Sequence, residues 1–240
     1  MWKLTGLGSL ILGCGILISG CSTSTIGDEK ISDVYIEKDQ AKQLDIDLTI
    51  DYGQVNISAG SDNWLEGDIT YNINELEPKV TYNLKRDKGK IKIDQPKKAK
   101  VNVKKGALTN DWDLQLSNDI PVDLKVNTGA SDTYINLQGM QLQSLDIETG
   151  VGKSTVNLGG VWEKSFDVNI EMGVGESTVI LPKDTGVEIK STKGIGSATF
   201  NGFISKDKDT YVNEAFEHAD VIITVQTELG IGSANFELEE

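Results

Sequence analysis

Along most of this chain apolar and polar residues alternate with period two, and the alternation changes phase at glycines. The change is clearest in the second half, where a Gly-x-Gly kink keeps returning. It reads Thr128-Gly129-Ala130-Ser131, then Gly150-Val151-Gly152, Gly173-Val174-Gly175, Gly194-Ile195-Gly196 and Gly230-Ile231-Gly232. Five residues before each first glycine stand Leu124, Leu145, Val168, Ile189 and Val225; six after it stand Ile135, Val156, Val179, Phe200 and Phe236. The two apolar ladders are 11 residues apart, an odd number. In an unbroken strand such positions face opposite sides. For both ladders to be buried the chain must change face at the glycines, by a bulge or a corner that glycine tolerates. The repeat therefore predicts strand, kink, strand and turn, stacked several times.

The first half carries a degenerate copy. Leu44, Ile46, Leu48 and Ile50 alternate with polar residues, as do Val55, Ile57 and Ala59 after Gly53, and Ile46 to Ile57 again spans 11. Further strands are expected at Ile69-Tyr71-Ile73, at Val101-Val103 and at Trp112-Leu114-Leu116. A hairpin joins Val80-Tyr82-Leu84 to Ile91-Ile93 through Arg86-Asp87-Lys88-Gly89. From Gly129 the copies follow at steps of 21, 23, 21 and 36 residues, the spacing of a solenoid or array. The long step holds an insertion within 203–220, which reads as a polar end cap or a ligand-binding loop. No stretch shows helical periodicity. The expected fold is all-β: an elongated, β-solenoid-like stack of short strands with Gly-x-Gly kinks and little or no helix.

The N-terminus has a different character. A basic start at Lys3 and an apolar run from Leu4 to Ile18 end in Ile18-Ser19-Gly20-Cys21. This is a secretory signal with small residues at the cut. The cysteine after them resembles a bacterial lipobox, with cleavage before Cys21 and a diacylglycerol on its thiol. Residues 1–20 are the expected signal peptide and 21–32 a polar tether. An N-terminal β domain follows over 33–122, continuous with a C-terminal repeat domain over 123–240. The protein is expected outside the cytoplasm, lipid-anchored to the bacterial membrane.

After cleavage no cysteine other than Cys21 remains, so disulfides, thiolate metal sites and a thiol nucleophile are excluded. Gly152-Lys153-Ser154 mimics the tail of a phosphate loop, but strand residues follow it and not a helix. His218 is the lone histidine, too little for an imidazole metal cluster and, in a loop, a poor base for a catalytic triad. The carboxylates follow no calcium-binding repeat. No catalytic residue, metal or other cofactor is expected.

Charge adds one candidate. The chain carries −14 overall. Residues 79–105 hold eleven Lys and Arg against two Asp, while 106–240 hold eight Lys against 22 acids. Lys85, Arg86, Lys88, Lys90, Lys92, Lys97 and Lys98 are candidates for contact with an anionic lipid or wall polymer. The same charges serve equally to face the acidic repeats or to guard a sheet edge. Nucleic acid is an unsuitable partner for an exported protein.

Three stretches together resemble a known family. They are Leu-Asp-Ile-Asp-Leu-Thr-Ile-Asp-Tyr-Gly at 44–53, the Gly-Val-Gly-x-Ser-Thr-Val copies, and Tyr211-Val212-Asn213 leading to Val221–Val225 and Gly230-Ile231-Gly232. The chain is similar to bacterial toast-rack domains followed by the C-terminal domain of cell-wall-active antibiotic response (LiaF-like) proteins. That resemblance implies an all-β stack, a role in envelope stress or surface interaction, and no catalytic residues. The lipid anchor departs from the several membrane helices of LiaF-type proteins. The reading is a non-enzymatic, membrane-anchored surface lipoprotein, an interaction or sensing module that contacts an envelope protein or polymer. The alternatives are an adhesin or matrix component, and a carbohydrate-active β-helix enzyme.

Overall fold

The structure, a computed structural model, describes residues 26–95 and 108–240. Among the described residues thirteen strands join in one sheet, with two short 3-10 helices at Asn74–Leu76 and Glu214–His218. The fold is all-β. The signal segment, Cys21, Lys97, Lys98 and the Val101-Val103 pair lie outside the described residues.

Each kinked copy is a single bent strand, not two short ones as expected. β2 (Gln43–Ala59), β7 (Val122–Asn136), β8 (Leu142–Asn157), β9 (Phe166–Leu181), β10 (Gly186–Asn201) and β13 (Ile222–Leu238) each run 15–17 residues through the glycines. Their main-chain pairing is parallel and in register across the crease, for example Ile147↔Ile170, Gly152↔Gly175 and Val156↔Val179. The phase change works as the odd spacing requires. Leu145 and Ile147 before the crease, and Val156 and Leu158 after it, are all fully buried in one hydrophobic cluster. Both limbs of each strand therefore face a common core, and each aliphatic side chain so buried contributes about 1.5–3 kcal/mol. Phe200 alone of the two ladders is only partly buried, because it lies in the outermost bent strand of the sheet, β10.

Strand order departs from sequence order. The sheet runs β7-β8-β9-β13-β10, so the last strand is inserted between its two predecessors. This explains the 36-residue step. The chain leaves β10, forms a hairpin of β11 (Ile204–Asp207) and β12 (Thr210–Val212), and returns to fill the vacant slot. β12 pairs antiparallel with Glu188–Lys190 of β10, so the insertion covers the first limb of the end strand. Asn213 fixes the return: its side-chain amide donates to Thr185 O at 2.7 Å, and its Oδ1 accepts the Val187 N–H at 2.9 Å.

The other end is built from shorter pieces. β5 (Lys88–Asp94) runs parallel to the first limb of β2, and β6 (Asn110–Leu116) parallel to its second limb. Together they make one rung interrupted at the crease. β4 (Lys79–Lys85) closes the expected hairpin on β5, with Val80 opposite Ile93 and Tyr82 opposite Ile91. β3 (Leu65–Tyr71) and β1 (Lys30–Ile36) extend the second limb antiparallel beyond β6. Two boundaries need correction. Strand structure begins at Lys30, inside the expected tether, because residues 30–36 find a free edge on β3. The strand expected to include Ile73 ends at Tyr71, although Ile73 is buried.

Candidate interaction surface

The crease is made by two rows of glycine. A Cβ on Gly150 would stand 2.5 Å from the Gly129 carbonyl oxygen, and one on Gly173 equally close to that of Gly150. Gly194 and Gly230 repeat the approach, and Gly129 makes it on Asp51. In the second row Gly152, Gly175, Gly196 and Gly232 have φ of +143°, +145°, +147° and +140°, and Gly53 has +125°. Side chains there would meet the carbonyl of the neighbouring strand and a backbone region that L-residues avoid. Ser131 is the exception in this row. It keeps an ordinary φ, is buried, and its hydroxyl lies 3.0 Å from that of Thr133.

The residue between the glycines is thrust outward. Val151, Val174, Ile231 and Ile195 are 43–72% exposed, and Ala130 is exposed beside them. Register places them on consecutive rungs in the order Ala130, Val151, Val174, Ile231, Ile195. At about 4.8 Å per rung they form a continuous aliphatic ridge. A run of exposed aliphatics is a more informative surface feature than scattered ones. The sequence held the signal, since every x in Gly-x-Gly is apolar, but reading the glycines as a kink left that row without a role.

Beside the ridge the first glycine row leaves a trough of about 530 Å³, floored by Gly129, Gly150, Gly173 and Gly230. Its far wall is acidic: Glu148, Glu171 and Glu228 lie side by side on β8, β9 and β13, with Asp51 at one end. Lys125 binds Glu148 at 2.8 Å, which raises the lysine's pKa. The surface thus pairs an apolar rail with an anionic one.

Those of the basic residues singled out in the sequence that are described, Lys85 to Lys92, lie elsewhere, and most of them are ion-paired. Lys88 reaches Asp123 at 3.1 Å, Lys90 reaches Asp45 at 3.3 Å and Lys92 reaches Asp94 at 3.4 Å. Lys85 and Arg86 are exposed at the hairpin tip. Ile91 and Ile93 between the lysines are fully buried. The hairpin's charge is therefore spent largely on the acidic neighbours of its own sheet.

His218 is exposed. Lys153 lies within β8 and faces Glu176 at 3.7 Å. Ser154 and Ser177 bury hydroxyls without a partner on adjacent rungs. Asp33, Asp68 and Asp113 align across β1, β3 and β6. Desolvation together with the Asp33 and Asp113 charges raises the Asp68 pKa. Among the described residues no group of acids, His and Cys is arranged to hold a metal ion, and no helix is long and apolar enough to cross a membrane.

With the geometry in hand, comparisons locate the chain among known proteins. A solved structure from Clostridium sporogenes, described as a candidate cell adhesion protein, is 31% identical. It superposes with a TM-score of 0.84, over 88% of this chain and 100% of its own. A candidate adhesin from Bacteroides fragilis is 12% identical with a TM-score of 0.29, over 86% of this chain and 97% of its own. At that level it adds nothing to the argument. Among curated proteins none matches the sequence. The family model described as the N-terminal domain of toast_rack matches residues 25–180, from before β1 to within β9. The chain belongs to the toast-rack family.

Proposed function

We propose that this protein is a non-enzymatic adhesion module of the bacterial cell surface, held to the membrane by a lipid on Cys21, and that the crease is its contact face. The observation that carries the reading is the aliphatic ridge Val151-Val174-Ile231-Ile195 beside the glutamate row. A solvent-exposed apolar rail costs hydration at every rung and gains only when something covers it. The Clostridium sporogenes relative, similar over its whole length, supports adhesion over catalysis. The anchor is proposed from Ile18-Ser19-Gly20-Cys21. The basic hairpin is a weaker candidate for anionic surfaces, because Lys88, Lys90 and Lys92 already have carboxylate partners.

The test is retention of the protein, displayed on beads, on cell surfaces and on immobilised wall polymer. Replacing Val151, Val174 and Ile231 by serine should reduce retention at least tenfold without changing the melting curve, since all three are exposed. Undiminished retention would remove the crease as the contact face. Anchoring is separately checked by mass spectrometry: a diacylated N-terminal Cys21 is expected, and Cys21→Ser should leave unprocessed precursor.

A further inference from the structure

The two rails of the crease have a fixed geometry. Glu148, Glu171 and Glu228 each stand three residues before an exposed aliphatic, Val151, Val174 and Ile231. Between them lie one buried residue and one glycine. Three residues of extended chain set the rails about 10 Å apart. From Asp51 on β2 to Glu228 on β13 the trough crosses five neighbouring strands, and at about 4.8 Å per rung it measures about 19 Å. Its floor is glycine, so an occupant can approach the main chain there without meeting a side chain.

The acids of this row are only partly satisfied. Glu148 is held by Lys125 at 2.8 Å. Glu171 receives a single 3.5 Å bond from the Asn169 amide, and Glu228 has no hydrogen bond or ion pair among the described residues. Both are exposed. The acids beside the basic hairpin, by contrast, have lysine partners. Carboxylates on successive rungs repel one another, and a row of cations laid against them reverses the sign of that interaction.

Charge and shape together select the occupant. The chain carries −14, so an anionic lipid surface and a second copy are both repelled from the glutamate row. A strand laid along the trough repeats its like-facing side chains about every 6.6 Å and falls out of step with the rungs at once. A helix repeats one face every turn of about 5.4 Å, and so drifts only about 2 Å over four steps. Its width of about 10–12 Å also matches the gap between the rails. We infer that the crease binds a basic amphipathic helix of a partner protein. About 13 of its residues span the trough. Its apolar stripe lies on Val151, Val174 and Ile231, and its Lys or Arg side chains, one per turn, lie on the glutamates. This rests on the crease as the contact face and names what it contacts.

Lysine–leucine peptides of about 14 residues, titrated into the chain from Ser22 onwards, test the inference. Calorimetry gives the affinity at about 0.15 M salt, and circular dichroism the helix gained on mixing. A peptide with lysine and leucine on adjoining faces of one helix should bind with a dissociation constant below about 10 µM and become helical. The same residues scrambled, or glutamate in place of lysine, should bind at least tenfold more weakly. Glu171→Gln with Glu228→Gln should weaken the amphipathic peptide at least tenfold with an unchanged melting curve. Asp111→Asn with Asp132→Asn, which removes the same charge at exposed sites off the crease, should not. Equal binding of the scrambled peptide would make the occupant an unfolded basic chain and overturn the helix. Equal effects of the two charge pairs, or no binding, would overturn the site. If the ridge variant loses cell-surface retention while Glu171→Gln with Glu228→Gln keeps it, the crease stands as the contact face and the basic partner falls.

Discussion

Two rungs of this molecule cross the crease in different ways. In β8 the main chain passes straight through at Gly150-Val151-Gly152. In the rung formed by β5 and β6 the chain leaves after Gln95 and returns at Asn110, and two side-chain amides fill the gap. Gln95 Nε2 donates to Asn110 Oδ1 at 2.7 Å and to Leu76 O at 2.9 Å, while Asn110 Nδ2 donates to Gln95 Oε1 at 3.0 Å and to Tyr52 O. Trp112 Nε1 adds a bond to Asn110 Oδ1 at 3.3 Å. Both amides are 1% exposed. The regular rungs are thus held by close backbone stacking, and the broken one by side-chain hydrogen bonds. The glycine rows record the difference. Gly53 is still required, since Asn110 presents its carbonyl beneath it, but Asp51 replaces the first glycine because neither β5 nor β6 reaches beneath it.

The sharpest test of backbone stacking is Gly152→Val. Its Cβ would overlap the Ser131 carbonyl at a φ of +143°, and the expected loss is about 3–4 kcal/mol or failure to fold. Ser131→Ala, one rung earlier in the same row, should cost only about 1 kcal/mol, the worth of one hydroxyl bond. Denaturant melts of the pair measure the difference. Similar losses would mean that the crease is not set by the carbonyl approach.

The broken rung should respond to a different change. Asn110→Leu leaves the Gln95 amide and Tyr52 carbonyl short of partners and should cost about 2–3 kcal/mol; Gln95→Leu should cost about 1–2. Made together, the two should cost less than the sum of the singles by about 1 kcal/mol or more, because each orphans the same contact. Strict additivity in a double-mutant cycle would show that the amides act separately and that the gap is closed by packing alone.

How much was legible follows the same division. The bent strands were readable because glycine pairs and an odd apolar offset leave one solution for burying both limbs. The hairpin at Arg86-Asp87 was readable from a local turn. The insertion of β13 between β9 and β10 was not, since in-register parallel strands with near-identical patterns are interchangeable in sequence; only the long step hinted at it. Gln95 and Asn110 lie 15 residues apart in sequence, and nothing local marks either as buried. The basic hairpin was visible as charge, but its partners Asp45 and Asp123 come from β2 and β7, and so its neutralisation was not.

If side-chain bonds characterise the irregular end, pH should act there first and in two directions. Asp39 sits where burial raises its pKa, but bonds from the Ala41 N–H at 2.9 Å, Trp64 Nε1 at 3.0 Å and Tyr82 OH at 2.7 Å outweigh this and lower it. The same contact, after desolvation, pushes Tyr82 up to about 12. A carboxylate with a depressed folded pKa stabilises above its unfolded value near 3.8, and that stability is lost as pH falls through the folded value. Asp68 has the opposite sign. Its folded pKa is raised, so ionising it beside Asp33 and Asp113 weakens the fold at neutral pH, and the penalty disappears as pH falls below about 4. Asp39→Asn should therefore lower the melting temperature at pH 7, and Asp68→Asn should raise it. Both differences should shrink as pH falls below about 4: for Asp68 because its own carboxyl is then protonated, for Asp39 because protonation of the unfolded chain begins to offset the advantage of the ionised form. Each effect should stay below about 1 kcal/mol, because both groups are solvent-screened. Melting curves at pH 3, 5 and 7 give the signs. Amide exchange on the same samples should place the acid-induced opening in β1, β3 and β4 before β8 and β9. Opening that starts in the regular rungs would dissolve the distinction between the two kinds of rung.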